Sequence, residues 1–449
     1  MHAVPTLTRR FAWSALLLAS LVTDAAAQAG DPPALRRRPF WGGGIRPPDS
    51  TGTAWVGRVV GGSAAERAGI RLDDRIVAAN GRSARDAAAF MRTYRALRAG
   101  DTLRATVRRA GGAPFEVVIP LAPLPEEVIP GATVTYESVV NARGQRLRTI
   151  VTRPDGASGR LPGILLVGWL SCGSVEIPAQ GGDGLSQVFK AIAARSTHVF
   201  MRVDKAGVGD SQGECAETDL DTELSGYRAA LDALRARPDV DPARIYLFGA
   251  SIGGALAPFV AAMLPREAPV RGLIVTGGFA KSWYEHQLEQ ERRRLMLLGR
   301  SPGEVNAQLV GFAELYTEFL IRKRTPGEVV ARLPHLKPIW YDEPAHQYGR
   351  PARYYHQVQA LNVLEAWSRI SAPVLILHGD HDWIMTRADQ DLVAAAVHGN
   401  RPAAVRIVDL PKTGHDLDTF PTREDAFNDR NAGYDPGAER QVLTWLRAH

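Results

Sequence analysis

The sequence predicts an α/β fold: an open, largely parallel sheet with helices on both faces, preceded by a smaller, mostly β module. Short apolar runs alternate with helical segments over the second two-thirds of the chain, a pattern typical of a parallel sheet. Within it, residues 245–254 combine a buried strand, a serine flanked by glycines and the start of a helix. The earlier residues 51–122 instead show short strands and a hairpin signal. At 449 residues the chain is long enough for both parts.

Composition argues against nucleic acid as a partner. The formal net charge of +6 is spread along the chain and does not form a long basic run with interleaved aromatic residues. A hydrophobic content of 45% is ordinary for a soluble globular protein.

The first 27 residues have the composition of a signal peptide. Arg9 and Arg10 precede an apolar core at residues 11–22, and Ala25 to Ala27 fit a cleavage site. We therefore expect a protein exported to the periplasm or secreted. Because no other stretch is long and apolar enough to span a bilayer, we expect no membrane span after cleavage.

Cys172 and Cys215 are the two cysteines of the chain. In an exported protein such a pair favours a disulfide over a metal site, since no histidine or second cysteine lies at ligand spacing to either. The sequence thus predicts a disulfide between them and no metal.

Residues 28–50 are rich in Pro, Gly and Arg and are predicted to be a linker. In the module at 51–122, the Asn80-Gly81 pair marks a hairpin, a helix is predicted over 84–97, and strands are predicted over 54–60, 102–108 and 115–121.

Through the motifs G-S-A-A-x-x-A-G-I (62–70), D-x-I-x-x-x-N-G (74–81) and Gly100-Asp101-Thr102, the module resembles a PDZ domain of the bacterial type. The resemblance implies binding of a peptide C-terminus as an added strand. The loop near 52–55 departs from the usual glycine-hydrophobic-glycine form, so a module that packs on the rest of the chain without a peptide remains the alternative.

After a second predicted linker at 123–130, residues 131–449 form the larger domain. Its predicted strands are residues 133–140, 147–152, 161–168, 197–203, 245–248, 272–276, 374–378 and 404–408. In such a sheet the active site is expected at the carboxyl ends of the strands.

Gly249-Ala250-Ser251-Ile252-Gly253 is a G-x-S-x-G sequence at one of those ends, before a helix predicted over 252–264. Glycines are needed there because a side chain at either flank would collide with the neighbouring strand or helix. With Ser251 at this turn, residues 131–449 resemble an α/β-hydrolase, and residues 201–211 resemble the glycine-rich turn after the fourth strand of that fold.

The resemblance implies a triad in the chain order nucleophile, acid, histidine. Asp382, three residues after Gly379, matches the family pattern for the acid, with Asp380 as its rival. His415 follows Gly414 in the loop after the next strand and is the candidate base.

The expected oxyanion donors are the backbone N–H groups of Ile252 and Leu170. This chain has Gly168-Trp169 where the family commonly has His-Gly, which leaves open a shift of the second donor by one residue. The predicted disulfide would tether this loop through Cys172.

A helical cap insertion is predicted at about residues 280–366, with helices over 283–298 and 302–325. Caps at this point of the fold usually cover the site and set substrate choice. The cap's aromatic residues are expected to pack mainly against the core, and its charged stretch 285–294 to form a solvated helix face.

A PDZ-like module joined to such a domain is similar to a bacterial group of exported serine hydrolases described as esterases or peptidases. The resemblance implies a serine hydrolase that cleaves carboxylic esters through an acyl-enzyme. Two alternatives stay open: an exopeptidase or amidase with the same triad, and a PDZ-bearing scaffold with an inactive hydrolase body. The expected substrate is a small-molecule ester or a peptide. No cofactor is expected, since Gly207-Val208-Gly209 lacks a G-x-G-x-x-G pattern.

Overall fold

A computed structural model describes residues 35–46, 53–84, 86–178, 181–340, 346–347, 349–399 and 405–449, all within one unit that spans residues 35–449. The predicted signal peptide lies outside the described residues, as do Tyr341 and Tyr348 of the cap. Among the described helices, none combines the length and apolar character that crossing a membrane requires.

The N-terminal module is a small antiparallel structure around one apolar core. Its elements are β1 (Pro39–Phe40), β2 (Gly43–Ile45), β3 (Val56–Val59), α1 (Ala64–Arg67), β4 (Arg75–Ala79), β5 (Arg82–Ser83), α2 (Ala87–Arg95), β6 (Thr102–Arg108), β7 (Phe115–Pro120) and β8 (Ala122–Pro123). One sheet has the order β5-β4-β6-β7, and two further ladders join β2 with β3 and β1 with β8.

Residues 35–46 differ from the predicted linker. β1 pairs with β8, and β2 pairs with β3. Trp41, between these strands, is only 4% exposed, and its ring packs on Phe90 and Tyr94 of α2 at centroid distances of 5.7 and 6.2 Å. The prediction was wrong here because a single buried tryptophan, in a stretch without apolar periodicity, fixes the segment to the module.

The second predicted linker, residues 123–130, is likewise held in place. Glu127 is 6% exposed, and its two carboxylate oxygens both accept hydrogen bonds from Arg202 at 2.8 Å. A paired buried carboxylate of this kind fixes the segment to the larger domain.

An eight-stranded sheet forms the centre of the larger domain. Its strands are β9 (Ala132–Val140), β10 (Arg146–Pro154), β11 (Leu161–Val167), β12 (Val199–Val203), β13 (Val240–Ala250), β14 (Gly272–Thr276), β17 (Val374–Gly379) and β18 (Val405–Leu410), with β15 (His346–Gln347) and β16 (Arg350–Pro351) forming a separate hairpin. The order is β18-β17-β14-β13-β11-β12-β10-β9, and only β10 pairs antiparallel with its two neighbours. The predicted largely parallel sheet is confirmed.

Helices cover both faces of this sheet. The helices of this domain, including those of the cap, are α3 (Gly184–Arg195), α4 (Leu220–Ala236), α5 (Ile252–Ala261), α6 (Trp283–Leu297), α7 (Pro302–Tyr316), α8 (Pro326–Arg332), α9 (Ala352–Gln359), α10 (Val363–Ser368), α11 (Arg387–His398), α12 (Arg423–Phe427) and α13 (Gly437–Ala448). α3 and α13 contribute to the apolar core on one face, whereas α4, α5 and α11 contribute to the core on the other.

The predicted cap is the insertion between β14 and β17. α7 ends at Tyr316, and one π-helical turn, Thr317–Ile321, follows it, so the predicted helix over 302–325 is shorter than expected. Tyr354 and Tyr355 are fully buried, and Tyr355 stacks on Trp283 at 5.7 Å. Trp283 in turn packs on Phe279, which lies just before the cap, at a centroid distance of 6.0 Å. Aromatic packing thus joins the cap to the core, as expected.

Candidate active site

Ser251 lies on a sharp turn between β13 and α5. Its backbone has φ 57° and ψ −127°, a strained conformation for a residue with a side chain. A Cβ on Gly249 would lie 2.7 Å from the Gly253 carbonyl oxygen, and one on Gly253 would lie 2.0 Å from that of Val167. Both glycines are therefore required sterically, which explains the G-x-S-x-G sequence.

Two loops bring a histidine and a carboxylate to this serine. Ser251 Oγ lies 2.9 Å from His415 Nε2, and His415 Nδ1 lies 2.8 Å from Asp382 Oδ2. The other oxygen, Asp382 Oδ1, accepts the N–H groups of Ile384 and Met385 at 2.8 and 2.9 Å. The carboxylate is thus fixed at both oxygens, in a loop that follows β17.

Asp380, the rival acid, is not part of this chain of hydrogen bonds. Its side chain is 46% exposed, and its carboxylate lies 3.9 Å from His381 Nε2. The structure therefore brings together Ser251, His415 and Asp382, with Asp380 outside the group.

The charge on Asp382 sets the protonation of His415. Burial lowers the pKa of His415, but the adjacent Asp382 carboxylate outweighs burial and raises that pKa to about 9. An imidazolium at this position is therefore stabilised, which is the property that a proton acceptor between serine and aspartate needs.

Gly277, directly after β14, is a site residue that the sequence analysis did not name. Its φ is +64°, and a Cβ there would lie 2.7 Å from His415 Cε1. The glycine makes room for the imidazole ring. The signal was available, because Gly277-Gly278 follows a buried strand whose carboxyl end is adjacent to that of β13.

The predicted oxyanion donors, Leu170 and Ile252, line the same cavity as Ser251. Neither backbone N–H donates to an acceptor among the described residues. The loop that carries Leu170 is fixed at its start, where the Gly168 N–H donates to the Tyr227 hydroxyl at 2.9 Å. It is also tethered by the predicted disulfide, since Cys172 and Cys215 are bonded with their Cα atoms 6.0 Å apart.

The catalytic cavity, as we call the space above Ser251, has a volume of about 520 Å³. Its described lining contains three carboxylates, Glu176, Asp183 and Asp416, and neither lysine nor arginine. Its apolar lining includes Trp169, Leu185, Phe189, Trp283, Ile384 and Met385. The lining of the cavity is therefore mostly apolar, and its carboxylates add negative charge.

The cap contributes His286 and Gln287 to this lining, each only 1% exposed. His286 stacks on Phe279 at 5.0 Å, and burial lowers its pKa to about 3, so the ring is neutral. The expectation of a solvated face over 285–294 was wrong for these residues. His286 and Gln287 lie three and four positions after Trp283, on the same face of the helix, and this spacing was the signal that could have identified them.

No cluster of His, Cys, Asp and Glu side chains able to hold a metal ion occurs in the part of the chain that the structure describes.

Comparison with known proteins gives two family matches. The family described as "Serine aminopeptidase, S33" matches residues 182–417, and the PDZ domain family matches residues 44–120. Esterase EstD of Thermotoga maritima is 23% identical over 292 residues, 64% of this chain and 61% of EstD. The uncharacterized protein YfhR of Escherichia coli O157:H7 is 38% identical over 86 residues, 19% of this chain and 28% of YfhR. The chain thus spans less than two-thirds of either relative.

Two solved structures are similar to this chain. Est1E from Butyrivibrio proteoclasticus with bound ferulic acid has a TM-score of 0.44 and 18% identity, over 70% of this chain and all of that one. The hypothetical protein PA2218 from Pseudomonas aeruginosa has a TM-score of 0.43 and 17% identity, over 73% of this chain and 96% of that one.

The S33 match spans more than half of the chain and includes Ser251, Asp382 and His415. The protein therefore belongs to the S33 serine aminopeptidase family, with a PDZ domain before its α/β-hydrolase domain.

Proposed function

We propose that the protein is a serine hydrolase that cleaves carboxylic esters through an acyl-enzyme, with Ser251 as nucleophile, His415 as base and Asp382 as the acid of the triad. The observation that carries the proposal is the continuous chain of hydrogen bonds, 2.9 Å from Ser251 to His415 and 2.8 Å from His415 to Asp382. The similarity to an esterase, EstD, supports ester substrates.

In the first half of the reaction, Ser251 Oγ attacks the ester carbonyl while His415 Nε2 takes its proton. The tetrahedral oxyanion accepts hydrogen bonds from the N–H groups of Ile252 and Leu170. His415 then gives the proton to the leaving alkoxide, and the acyl group stays on Ser251. In the second half, water attacks the acyl-enzyme with His415 again as base, which releases the acid and restores the serine.

A peptidase or amidase with the same triad is the second candidate. Of the three carboxylates of the catalytic cavity, Glu176 is already paired with Arg37 and Arg148. The other two, Asp183 and Asp416, in a described lining without lysine or arginine, favour a substrate that carries an amino group. The family description, serine aminopeptidase, is in keeping with such a substrate. The inactive-scaffold alternative is disfavoured, because all three triad side chains are present and hydrogen-bonded.

A labelled fluorophosphonate probe tests the nucleophile without knowledge of the substrate. We expect the purified protein to be labelled and Ser251→Ala to lose the label while it keeps its circular dichroism spectrum. The matched control is Ser186→Ala, which removes another serine hydroxyl from the cavity lining and should keep the label. Labelling that persists in Ser251→Ala would refute the nucleophile.

A matched pair of substrates, one aryl ester and one aryl anilide of the same acyl group, separates the two candidates. The ester hydrolase proposal expects a much larger kcat/KM for the ester. An aminopeptidase would instead cleave anilides with a free α-amino group and would discriminate strongly against their N-acetylated forms.

Export and peptide binding are separate proposals. The predicted signal peptide and the disulfide together support an exported protein, because disulfides persist in oxidising compartments. The PDZ domain supports binding of a peptide C-terminus. Cell fractionation tests the first, and titration of the protein with C-terminal peptides tests the second.

A further inference from the structure

We propose that Lys205 is a positioning residue for the oxyanion hole, because it fixes the direction of the Leu170 N–H. The proposal rests on the proposed function, since it assigns a role within that reaction. Lys205 lies two residues after β12 and belongs to the glycine-rich turn that the sequence analysis did not connect to the chemistry.

The side chain of Lys205 is buried behind the loop that carries Leu170. Lys205 is 8% exposed, and its ammonium donates to two carbonyl oxygens of that loop, of Trp169 and, at 3.2 Å, of Ser171. One ammonium thus binds the carbonyls on both sides of Leu170. The loop residues 169–171 line the catalytic cavity, whereas Lys205 does not.

The contact with the Trp169 carbonyl determines where the Leu170 N–H points. Both groups belong to one peptide unit, and the described chain contains no cis peptide bond. In a planar trans peptide the C=O and N–H vectors are antiparallel. Because the carbonyl points to Lys205, behind the loop, the N–H points away from Lys205. It is therefore directed to the cavity side, where the oxyanion would form.

Lys205 occupies this place at an electrostatic cost. Burial lowers the pKa of Lys205 to about 8, with Glu223 partly offsetting the effect. Glu223 lies 3.6 Å from the ammonium and also pairs with Arg350, which is fully buried. A methionine at 205 would fill similar space without this cost. A buried ammonium on two loop carbonyls is thus better explained by what it holds than by packing.

Arg350, a second buried cation that pairs with Glu223, supplies a matched control. It also contacts the Thr218 carbonyl, Cys215 Sγ and the Tyr354 ring, and it makes no described contact with the carbonyls of residues 169–171. Arg350→Met therefore removes a buried charge from the same cluster without freeing the Trp169–Leu170 peptide.

The experiment compares Lys205→Met with Arg350→Met in two assays. One measures hydrolysis of an aryl ester. The other measures binding of an aryl trifluoromethyl ketone, whose carbonyl is attacked by the serine to give an oxyanion. Loss of one oxyanion donor typically lowers kcat about 10²–10³-fold. We expect kcat of Lys205→Met to fall at least thirtyfold with KM within threefold. Affinity for the ketone should fall by a similar factor, and Arg350→Met should stay within threefold of the wild type.

Folded Lys205→Met with kcat within threefold of the wild type would overturn the proposal, as would a loss confined to KM. If Lys205→Met does not fold, Lys205→Leu, which is shorter, neutral and has no N–H donor, is judged by the same kcat and ketone thresholds. Failure of the proposed function is distinguishable, because the wild type itself would then lack esterase activity and fluorophosphonate labelling.

Discussion

Asp382→Asn is the substitution with the clearest expected consequence. In the wild type, Asp382 Oδ1 accepts two backbone N–H groups and Oδ2 faces His415 Nδ1. Asparagine has one side-chain oxygen, and we expect it to keep accepting the hydrogen bonds from the N–H groups of Ile384 and Met385. Its NH₂ group then faces His415 Nδ1, which must become an acceptor. The proton moves to Nε2, so the imidazole can no longer accept the Ser251 proton.

The magnitude follows from this forced tautomer. The reverse orientation of the amide is disfavoured, because its NH₂ group would face the two N–H donors. An equivalent change in a known triad costs about 10⁴ in kcat, which corresponds to about 5.4 kcal/mol of barrier. We expect a loss of at least about a thousandfold in turnover of a simple aryl ester. Asp380→Asn, at an exposed position, should lose less than about tenfold.

The pH dependence gives a second readout. His415 must be neutral to act as base, and the Asp382 carboxylate raises its pKa to about 9. In the wild type kcat/KM should therefore rise with pH and level off above about 9. Asp382→Asn removes the main charge that raises this pKa, leaving the smaller effect of Asp416, while burial still lowers it. The rising limb should move to lower pH as the plateau falls.

Initial rates on the aryl ester from pH 6 to 10, with circular dichroism to confirm folding, check both expectations. If Asp380→Asn lost more than Asp382→Asn, the acid would be Asp380, and the serine and histidine assignments would remain. If the rising limb of the kcat/KM profile stayed at the same pH in Asp382→Asn, this carboxylate would not set the pKa of His415.

Two further predictions concern groups around the triad. Gly277→Ala should lose about a hundredfold or more in kcat, because its Cβ would displace the His415 ring. The control Gly299→Ala is also at positive φ but has open space around it, so it should lose stability and keep its activity. Equal activities of the two variants would exclude the steric argument. Replacing both Cys172 and Cys215 by serine opens a loop with a sequence separation of 43 residues. The free energy of unfolding, measured by urea titration, should fall by up to about 4 kcal/mol. Two free thiols titrating in the denatured, unreduced wild type would contradict the pairing.

The sequence was sufficient where a local pattern has one physical solution. The strand over 272–276 has the predicted bounds, because a short apolar run between breakers leaves little freedom. The helix after Ser251 begins as predicted but ends at Ala261, since helix ends depend on tertiary contacts. Ser251 was identified from its strand end and flanking glycines, and Asp382 and His415 from the resemblance to an α/β-hydrolase; the structure brings the three side chains together.

Residues whose role depends on distant partners could not be predicted from local pattern. Lys205 acts on carbonyls of residues 169 and 171, more than thirty positions earlier, and no periodicity or spacing joins them. His286 is a different case: the high charge of residues 285–294 concealed a buried helix face that the spacing from Trp283 does indicate. Gly277-Gly278 marked a strand end in the sequence, but the steric role of Gly277 depends on the position of the His415 ring.

Arg37 shows why the two domains are not separate bodies on a linker. Its guanidinium donates to Glu176 and Asp210 of the larger domain, each at 2.7 Å, and to the Leu124 carbonyl, while the side chain is only 13% exposed. Removing one partner of a buried charge pair typically costs about 3–5 kcal/mol. Because Glu176 also lines the catalytic cavity, the segment that precedes the PDZ domain fixes part of the cavity wall. A displacement of this segment would therefore leave a buried carboxylate beside the substrate without one of its cations.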